Sequence, residues 1–278
     1  MLPRLDPSTR ALVWGLVGGT PLYLSWWDQD RTVEDNLLEL VCRPDSRLLS
    51  EGQLVLATEG DAGRLAGSVM SAIALGRTGF NEIRDVVRTD PSRVLDRLIS
   101  LRLVDRLTPV TEDERKTRRR RYRIADNFLA LWLGVIDRYR SEIEQGLGRT
   151  IVRPLMQRLD GHMGARWEKA FQAHLRRLAT AGRLADDIVA IGSFWRAVGQ
   201  GEIDAVALAG VDRRVVLLGE AKWSREVSAP RIEAALRRKA ASLPGDTDGA
   251  RLAIAARGHV AGAASTTLTV TAHDIFSD

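Results

Sequence analysis

Helical periodicity marks the chain from Pro7 to about Glu59. Apolar side chains recur three and four positions apart, and Thr32 with Asp35 has the spacing of a capping box at a helix start. Residues 11–27 carry no charge, but three glycines and a Thr-Pro pair favour a buried helix and turn over a membrane span. Residues 60–63 have the composition of a turn. We therefore predict a helical N-terminal segment over residues 1–62.

A second pattern begins at residue 65 and predicts three short helices. The first should end near Gly76 and Gly79, because glycine ends helices readily. In the third, Asp90 can cap the start and Pro91 suits the first helical position. One face of this third helix is apolar and the opposite face is polar.

Two strands should follow the helices. Residues 104–110 and 120–124 can pair as an antiparallel hairpin, and the charged residues 111–119 between them form what we call the basic loop. Three helices and a hairpin in this order are typical of a winged helix-turn-helix. A strongly apolar helix comes next, from residue 126 to about residue 144. We therefore predict a winged helix-turn-helix with an apolar linker helix over residues 63–145.

The last part of the chain, residues 146–278, combines helices with short apolar runs of strand length. Gly146 and Gly148 predict a linker, and a long helical pattern covers residues 154–180. Strands are predicted at residues 188–191, 203–208, 215–221 and 252–256. A helical pattern at residues 230–243 fits a crossover between the last two strands. The whole chain is predicted as an α+β multidomain protein whose C-terminal domain contains an α/β sheet.

Composition narrows the function classes. A single cysteine excludes an internal disulfide, and four scattered histidines lack the spacing of a zinc site, so we expect a cytoplasmic protein. The net charge of +5 is concentrated in residues 101–125, which hold nine basic and four acidic side chains. One dense basic patch indicates a partner with negative charge.

Nucleic acid is the partner that this patch favours, with double-stranded DNA expected. The loop and its end contribute Arg115, Lys116, Arg118, Arg119, Arg120 and Arg121 as candidate phosphate contacts. Arg93 and Arg97, on the polar face of the third helix, are placed to reach base edges. A protein-protein module and an ordinary solvated charge run are the alternatives.

A second group of polar residues interrupts the strands of the C-terminal domain. Asp204 follows the start of one predicted strand, and Glu220 and Lys222 share a face near the end of the next. If these strands form a hairpin, the two carboxylates meet near the end of the sheet and Mg²⁺ or Mn²⁺ would satisfy them. Lys222 could then orient or deprotonate an attacking water. A surface salt bridge at a strand end is the alternative.

Asp204 and the sequence Glu220-Ala221-Lys222 resemble the core motif of the PD-(D/E)xK nuclease superfamily. That resemblance implies a restriction-endonuclease-like fold over residues 146–278 and a further acidic residue on its first helix, for which Glu168 is the candidate. Ile203 stands where the motif has proline. A second E-x-K, at residues 114–116, lies in the basic loop, so the strand context is what distinguishes Glu220 and Lys222.

Nearly the whole chain is similar to the C-terminal part of archaeal-type AAA-family ATPases. The similarity rests on residues 18–24, 48–52 and 122–132 in that order, and it implies that residues 1–62 are a lid-like segment. No phosphate-binding G-x-x-x-x-G-K-[ST] motif occurs, so this chain should not hydrolyse ATP by itself. Three functions stay open: a metal-dependent nuclease, a non-catalytic DNA-binding or regulatory protein, and a partner module of a separate ATPase.

Overall fold

The computed structural model describes residues 2–58, 63–185, 187–196 and 201–277. The chain divides into two compact units. The first contains residues 1–6, 12–107 and 120–163, and the second contains residues 7–11, 108–119 and 164–278. The architecture is mixed α+β, as predicted from the sequence.

The first unit is built mainly from helices. Those that precede the hairpin are α1 (Pro7–Val17), α2 (Pro21–Ser25), α3 (Val33–Leu40), α4 (Arg47–Thr58), α5 (Gly63–Ala74), α6 (Phe80–Val87) and α7 (Ser92–Ser100). Thr32 caps α3 as predicted, since its Oγ1 accepts a hydrogen bond from the Asp35 amide at 3.1 Å, while the Asp35 carboxylate accepts from the Thr32 hydroxyl at 2.6 Å. Of the turn predicted at residues 60–63, residues 60–62 lie outside the described part, and Gly63 begins α5.

The uncharged stretch at residues 11–27 forms the buried helix and turn that its glycines favoured. Val13, Leu16 and Val17 are fully buried in the core of the first unit. Within the described ranges, no helix has the length and apolar character needed to cross a membrane.

Helices α5, α6 and α7 lead into an antiparallel hairpin of β1 (Val104–Leu107) and β2 (Arg121–Ile124). Helix α7 begins one residue later than predicted, and Asp90 Oδ1 accepts hydrogen bonds from both the amide and the hydroxyl of Ser92. The strand predicted at residues 104–110 is too long, because β1 ends at Leu107. Pro109, which has no amide N–H to donate, helps to end the pairing.

A helical stretch follows the hairpin and contributes many buried side chains to the core of the first unit. It consists of α8 (Asn127–Leu131), a π-helical turn (Trp132–Ile136), a 3₁₀ turn (Asp137–Tyr139) and α9 (Arg140–Glu144). Trp132 is fully buried, as expected for a core residue. A Cβ atom at Gly52 would lie 1.8 Å from the indole ring of Trp132, so glycine is required there.

Helix α10 (Gly148–Thr180) begins earlier than the predicted residue 154 and contains Pro154 in its interior. The two units divide inside this helix, between residues 163 and 164, whereas the sequence pattern placed a domain boundary at residue 146. Gly148 serves close packing, since a Cβ there would lie 1.5 Å from the Cys42 carbonyl oxygen. Gly148 is therefore a contact point in the fold, whereas nothing lies within 4 Å of a Cβ built at Gly146.

The second unit contains a mixed five-stranded sheet in the order β3-β4-β5-β7-β9. The strands of this unit are β3 (Ile188–Phe194), β4 (Ile203–Ala209), β5 (Arg214–Lys222), β6 (Glu226–Ser228), β7 (Arg251–Ala256), β8 (His259–Ala261) and β9 (Leu268–Val270). Strands β3, β4 and β5 pair antiparallel, and β5, β7 and β9 pair parallel. The crossover helix between β5 and β7 is confirmed as α11 (Ala229–Ala240), and α12 (Ala272–Phe276) follows β9.

The basic loop belongs to the second unit together with residues 108–110. The Val110 amide donates a hydrogen bond to the Ser193 carbonyl on β3 at 2.9 Å. Arg213, in the turn after β4, donates to the Val110 carbonyl at 2.8 Å. The entry to the basic loop therefore follows an edge strand of the five-stranded sheet.

Candidate functional site

The β4–β5 hairpin brings the two predicted carboxylates together. Its register pairs Ala205 with Gly219, so that Asp204 and Glu220 occupy the next neighbouring positions. Asp204 and Glu220 are each only 7% exposed. The sheet therefore holds two buried acidic side chains side by side, where strands would otherwise carry apolar residues.

Glu220 is paired with two lysines. Its Oε1 lies 2.7 Å from Lys222 Nζ, and its Oε2 lies 2.7 Å from Lys239 Nζ. Lys222 belongs to the same strand two residues further on, whereas Lys239 comes from the last turn of α11. We call Asp204, Glu220, Lys222 and Lys239 the lysine–carboxylate cluster.

Asp204 is held by two hydrogen bonds at its strand end. Its Oδ2 accepts from the Ala221 amide at 2.8 Å, and its backbone carbonyl accepts from Gln172 Nε2 at 2.6 Å. Burial, and then the neighbouring negative charge of Glu220, raise the pKa of Asp204 to about 6. The Ala221 hydrogen bond opposes this shift but does not cancel it.

The surroundings of Lys222 favour its charged form, whereas those of Asp204 favour its neutral form. Burial disfavours its ammonium form, but the hydrogen bond and charge of Glu220 outweigh burial and raise the Lys222 pKa above its ordinary value. Asp204 and Glu168 add to the same effect through their negative charges. Lys222 therefore keeps its proton, and Glu168 lies near enough to act on it electrostatically.

Helix α10 brings Gln172 into contact with Asp204 and Glu168 within electrostatic range of Lys222. A Cβ at Gly219 would lie 2.8 Å from the Phe171 ring and 3.1 Å from the Ala205 side chain. Glycine at position 219 therefore lets α10 pack against β5. Gln172 stands one helical turn after Glu168, which places both side chains on the same helix face.

Asp204 and Glu220 provide the oxygen donors that a divalent cation prefers. Two carboxylates, completed by water and a substrate phosphate, are sufficient for Mg²⁺. Both Glu220 oxygens are, however, held by ammonium groups. Across the described ranges, no group of three or more His, Cys, Asp and Glu side chains could hold a metal ion. The donor set therefore fits a divalent cation only when an ammonium group leaves Glu220.

The predicted nucleic-acid contacts fall into two classes. Arg93 and Arg97 on α7 are exposed, as are Arg115, Lys116 and Arg118 in the basic loop. Arg119 is instead ion-paired with Glu112 and donates to the Trp195 carbonyl at 3.4 Å, while Arg120 and Arg121 are partly buried. Exposed arginines can approach a phosphate at little cost, whereas Arg119 must give up contacts to do so.

Sequence reasoning missed Lys239 and Gln172. Gln172 carries no distinguishing pattern, since polar residues on one helix face are common. Lys239 had a weak signal, because the chain has only four lysines beside 37 arginines. Two of those four lysines contact Glu220.

Fold and site together define a mixed α+β protein with two carboxylates and two lysines clustered near the ends of two inner strands of a five-stranded sheet. A model of the DUF234 family, described as archaea bacterial proteins of unknown function, matches residues 132–234. That range includes Glu168, Asp204, Glu220 and Lys222.

The chain is also similar to an uncharacterised protein of Methanocaldococcus jannaschii, with 28% identity over 220 residues. The match covers 76% of this chain and 47% of the relative, so the chain spans about half the length of the curated relative it matches. No solved structure matches the chain.

Proposed function

We propose that this chain binds double-stranded DNA and hydrolyses its phosphodiester bonds at the lysine–carboxylate cluster, with Mg²⁺ or Mn²⁺ as cofactor. In this proposal, residues 63–145 form a winged helix-turn-helix and residues 146–278 form a restriction-endonuclease-like domain of the PD-(D/E)xK type. The observation that carries it is the meeting of Asp204, Glu220 and Lys222 at neighbouring strand positions.

Each of the four candidate residues has its own role in the proposed reaction. Asp204 and Glu220 would hold the cation through carboxylate oxygens, and a cation bound there would supply Lewis-acid activation of phosphate and water. Lys222 stays protonated, because its pKa is raised, and its role is to orient water and stabilise negative charge at the phosphate. Glu168 contributes negative charge beside Lys222 and supports this arrangement.

Plasmid cleavage tests the proposal. Supercoiled DNA incubated with the purified protein and Mg²⁺ or Mn²⁺ should become nicked or linear. Asp204→Asn and Lys222→Ala should each slow cleavage by about 10²-fold or more, because each removes a group that acts on the transition state. Asp212→Asn, an exposed change in the turn of the same hairpin, is the matched control and should cleave at the parent rate. Equal rates for Asp204→Asn and the parent would refute the assignment.

DNA binding in this proposal uses the exposed arginines of the basic loop and α7. Phosphate neutralisation by arginine and lysine makes binding salt-dependent. Arg115, Lys116 and Arg118 are exposed neighbours in the loop and suit this role. Arg93 and Arg97 suit contact with base edges in the major groove.

A non-catalytic DNA-binding protein is the second candidate function. The observation that favours it is the complete pairing of Glu220 with Lys222 and Lys239, which satisfies the carboxylate without a metal ion. This candidate predicts salt-sensitive duplex binding with no cleavage at any concentration of Mg²⁺ or Mn²⁺. The plasmid experiment, repeated with a duplex-binding measurement on the same preparation, separates the two candidates.

We also propose a partner for this chain, on the basis of its resemblance to the C-terminal part of AAA-family ATPases. A separately encoded ATPase is then a partner of this chain, and the chain contributes DNA contact rather than nucleotide hydrolysis. Copurification of such an ATPase with the tagged chain after nuclease treatment of the extract would support this partnership. Recovery that depends on intact DNA would argue against direct contact.

A further inference from the structure

The backbone of Lys239 is fixed at the end of α11, within reach of Glu220. It occupies the last turn of α11, where a positive charge is favoured by the helix dipole. Ser242 caps this turn, since its amide and hydroxyl both donate to the Lys239 carbonyl, at 2.9 and 2.6 Å. The Lys239 side chain is 28% exposed, and Glu220 is 9% exposed at its side chain. The pair is therefore partly shielded from solvent, unlike an exposed surface ion pair.

The charges of the cluster balance without a metal ion. Asp204 and Glu220 supply two negative groups, and Lys222 and Lys239 supply two positive groups. A divalent cation that entered beside both ammonium groups would be repelled at close range, where partial burial weakens solvent screening. Cation binding therefore requires that one ammonium group move away from Glu220.

Lys239 is the lysine better placed to move. Lys222 is attracted by Glu220, Asp204 and Glu168, whereas Lys239 interacts with Glu220 and Asp204, so Lys222 has the additional carboxylate of Glu168 when Glu220 is shared. Lys239 reaches Glu220 from a different element, and its flexible four-carbon side chain can withdraw toward solvent. Its departure frees Oε2, while Lys222 stays on Oε1.

We propose that Lys239 occupies the divalent-cation position on Glu220, so that a cation binds only by displacing the Lys239 ammonium group from Oε2. This inference rests on the proposed function, because it concerns the same cation site. Lys239 is a positioning residue in this account: it acts through Glu220 and sets the affinity of the site for the cation.

Direct Mn²⁺ binding tests the proposal without any measurement of cleavage. Isothermal titration of the full chain with MnCl₂, in the absence of DNA, should give a dissociation constant about tenfold lower for Lys239→Gln than for the parent. Lys239→Arg keeps the competing charge and should bind Mn²⁺ as weakly as the parent. Arg238→Gln makes the same charge change one residue away, at an exposed position, and should stay within about twofold of the parent.

Three outcomes are distinguishable. Tighter binding by Lys239→Gln alone, abolished when Asp204→Asn is added, supports the proposal. Mn²⁺ binding that Asp204→Asn abolishes but Lys239→Gln leaves unchanged overturns the role of Lys239 and keeps the cation site. Absence of Mn²⁺ binding in all variants overturns both the role of Lys239 and the metal-dependent form of the proposed function. Thermal unfolding of each variant establishes that the protein compared is folded.

Discussion

Asp204 is a buried carboxyl group beside a second carboxyl group, and this explains its raised pKa of about 6. Its ordinary value is 3.8, so the folded protein holds the Asp204 proton more tightly than the unfolded chain does. The stabilisation that comes from this proton is complete below the unfolded value and is lost as the pH rises through the folded value.

The first prediction follows from that proton. The free energy of unfolding of the parent, relative to Asp204→Asn, should fall as the pH rises from about 4 to about 6. The slope should be at most about 1.4 kcal/mol per pH unit, because one proton is involved. Urea unfolding of both proteins across this range measures it. A relative stability that rises with pH would mean that the Asp204 pKa is lowered in the fold.

Gly219 supports the second prediction at the scale of one residue. Gly219→Ala should lower the free energy of unfolding by about 1–3 kcal/mol, because the new Cβ would meet the Phe171 ring and the Ala205 side chain. Gly164→Ala, in α10, is the control: nothing lies within 4 Å of its Cβ, and alanine favours the helix. Chemical denaturation compares them, and equal stability of the two variants would contradict the close packing at Gly219.

At the scale of elements, long periodic segments could be predicted from the sequence, and short ones could not. The crossover helix α11 was predicted and is confirmed, and β4 and β5 form the antiparallel hairpin on which the expected meeting of Asp204 and Glu220 depended. Strands β6, β8 and β9 were missed, because three residues carry too little alternation to be recognised.

The candidate site, too, could be predicted from the sequence only in part. The sequence predicted that Asp204 and Glu220 would be neighbours if their two strands formed a hairpin, and the register of β4 and β5 places them at neighbouring positions. Lys239 could not be predicted, since its contact depends on how α11 packs across the sheet and no local pattern encodes that distance. The sequence pattern placed Val110 in the hairpin of β1 and β2. In the structure its amide donates a hydrogen bond to the carbonyl of Ser193, more than 80 residues away in sequence.

The basic loop carries the third prediction. Arg118→Ala should weaken duplex binding and reduce the slope of log K against log salt by about 0.9, with no change in melting temperature, because Arg118 is exposed. Arg119→Ala should also lower the melting temperature, since it loses its contacts with Glu112 and the Trp195 carbonyl. Fluorescence anisotropy at several salt concentrations, with thermal unfolding, measures both effects. Unchanged DNA affinity in Arg118→Ala would exclude the loop from the interface.

At the scale of the whole molecule, binding and chemistry are assigned to different residues. In the proposed function, exposed arginines of the basic loop and α7 attract DNA, and the lysine–carboxylate cluster carries out hydrolysis. The net charge of +5 is concentrated in residues 101–125, whereas the two lysines and two carboxylates of the cluster balance each other. Variants of the cluster should therefore lose cleavage while keeping their affinity for duplex DNA.

The most direct test of this account is the rate at which an end-labelled DNA duplex is cleaved by excess protein in Mg²⁺ or Mn²⁺. The account predicts metal-dependent cleavage by the parent and by Asp212→Asn, and a rate lower by about 10²-fold or more for Asp204→Asn, with duplex affinity unchanged. Cleavage by Asp204→Asn at the parent rate, or no cleavage by a parent protein that binds the duplex, would contradict it.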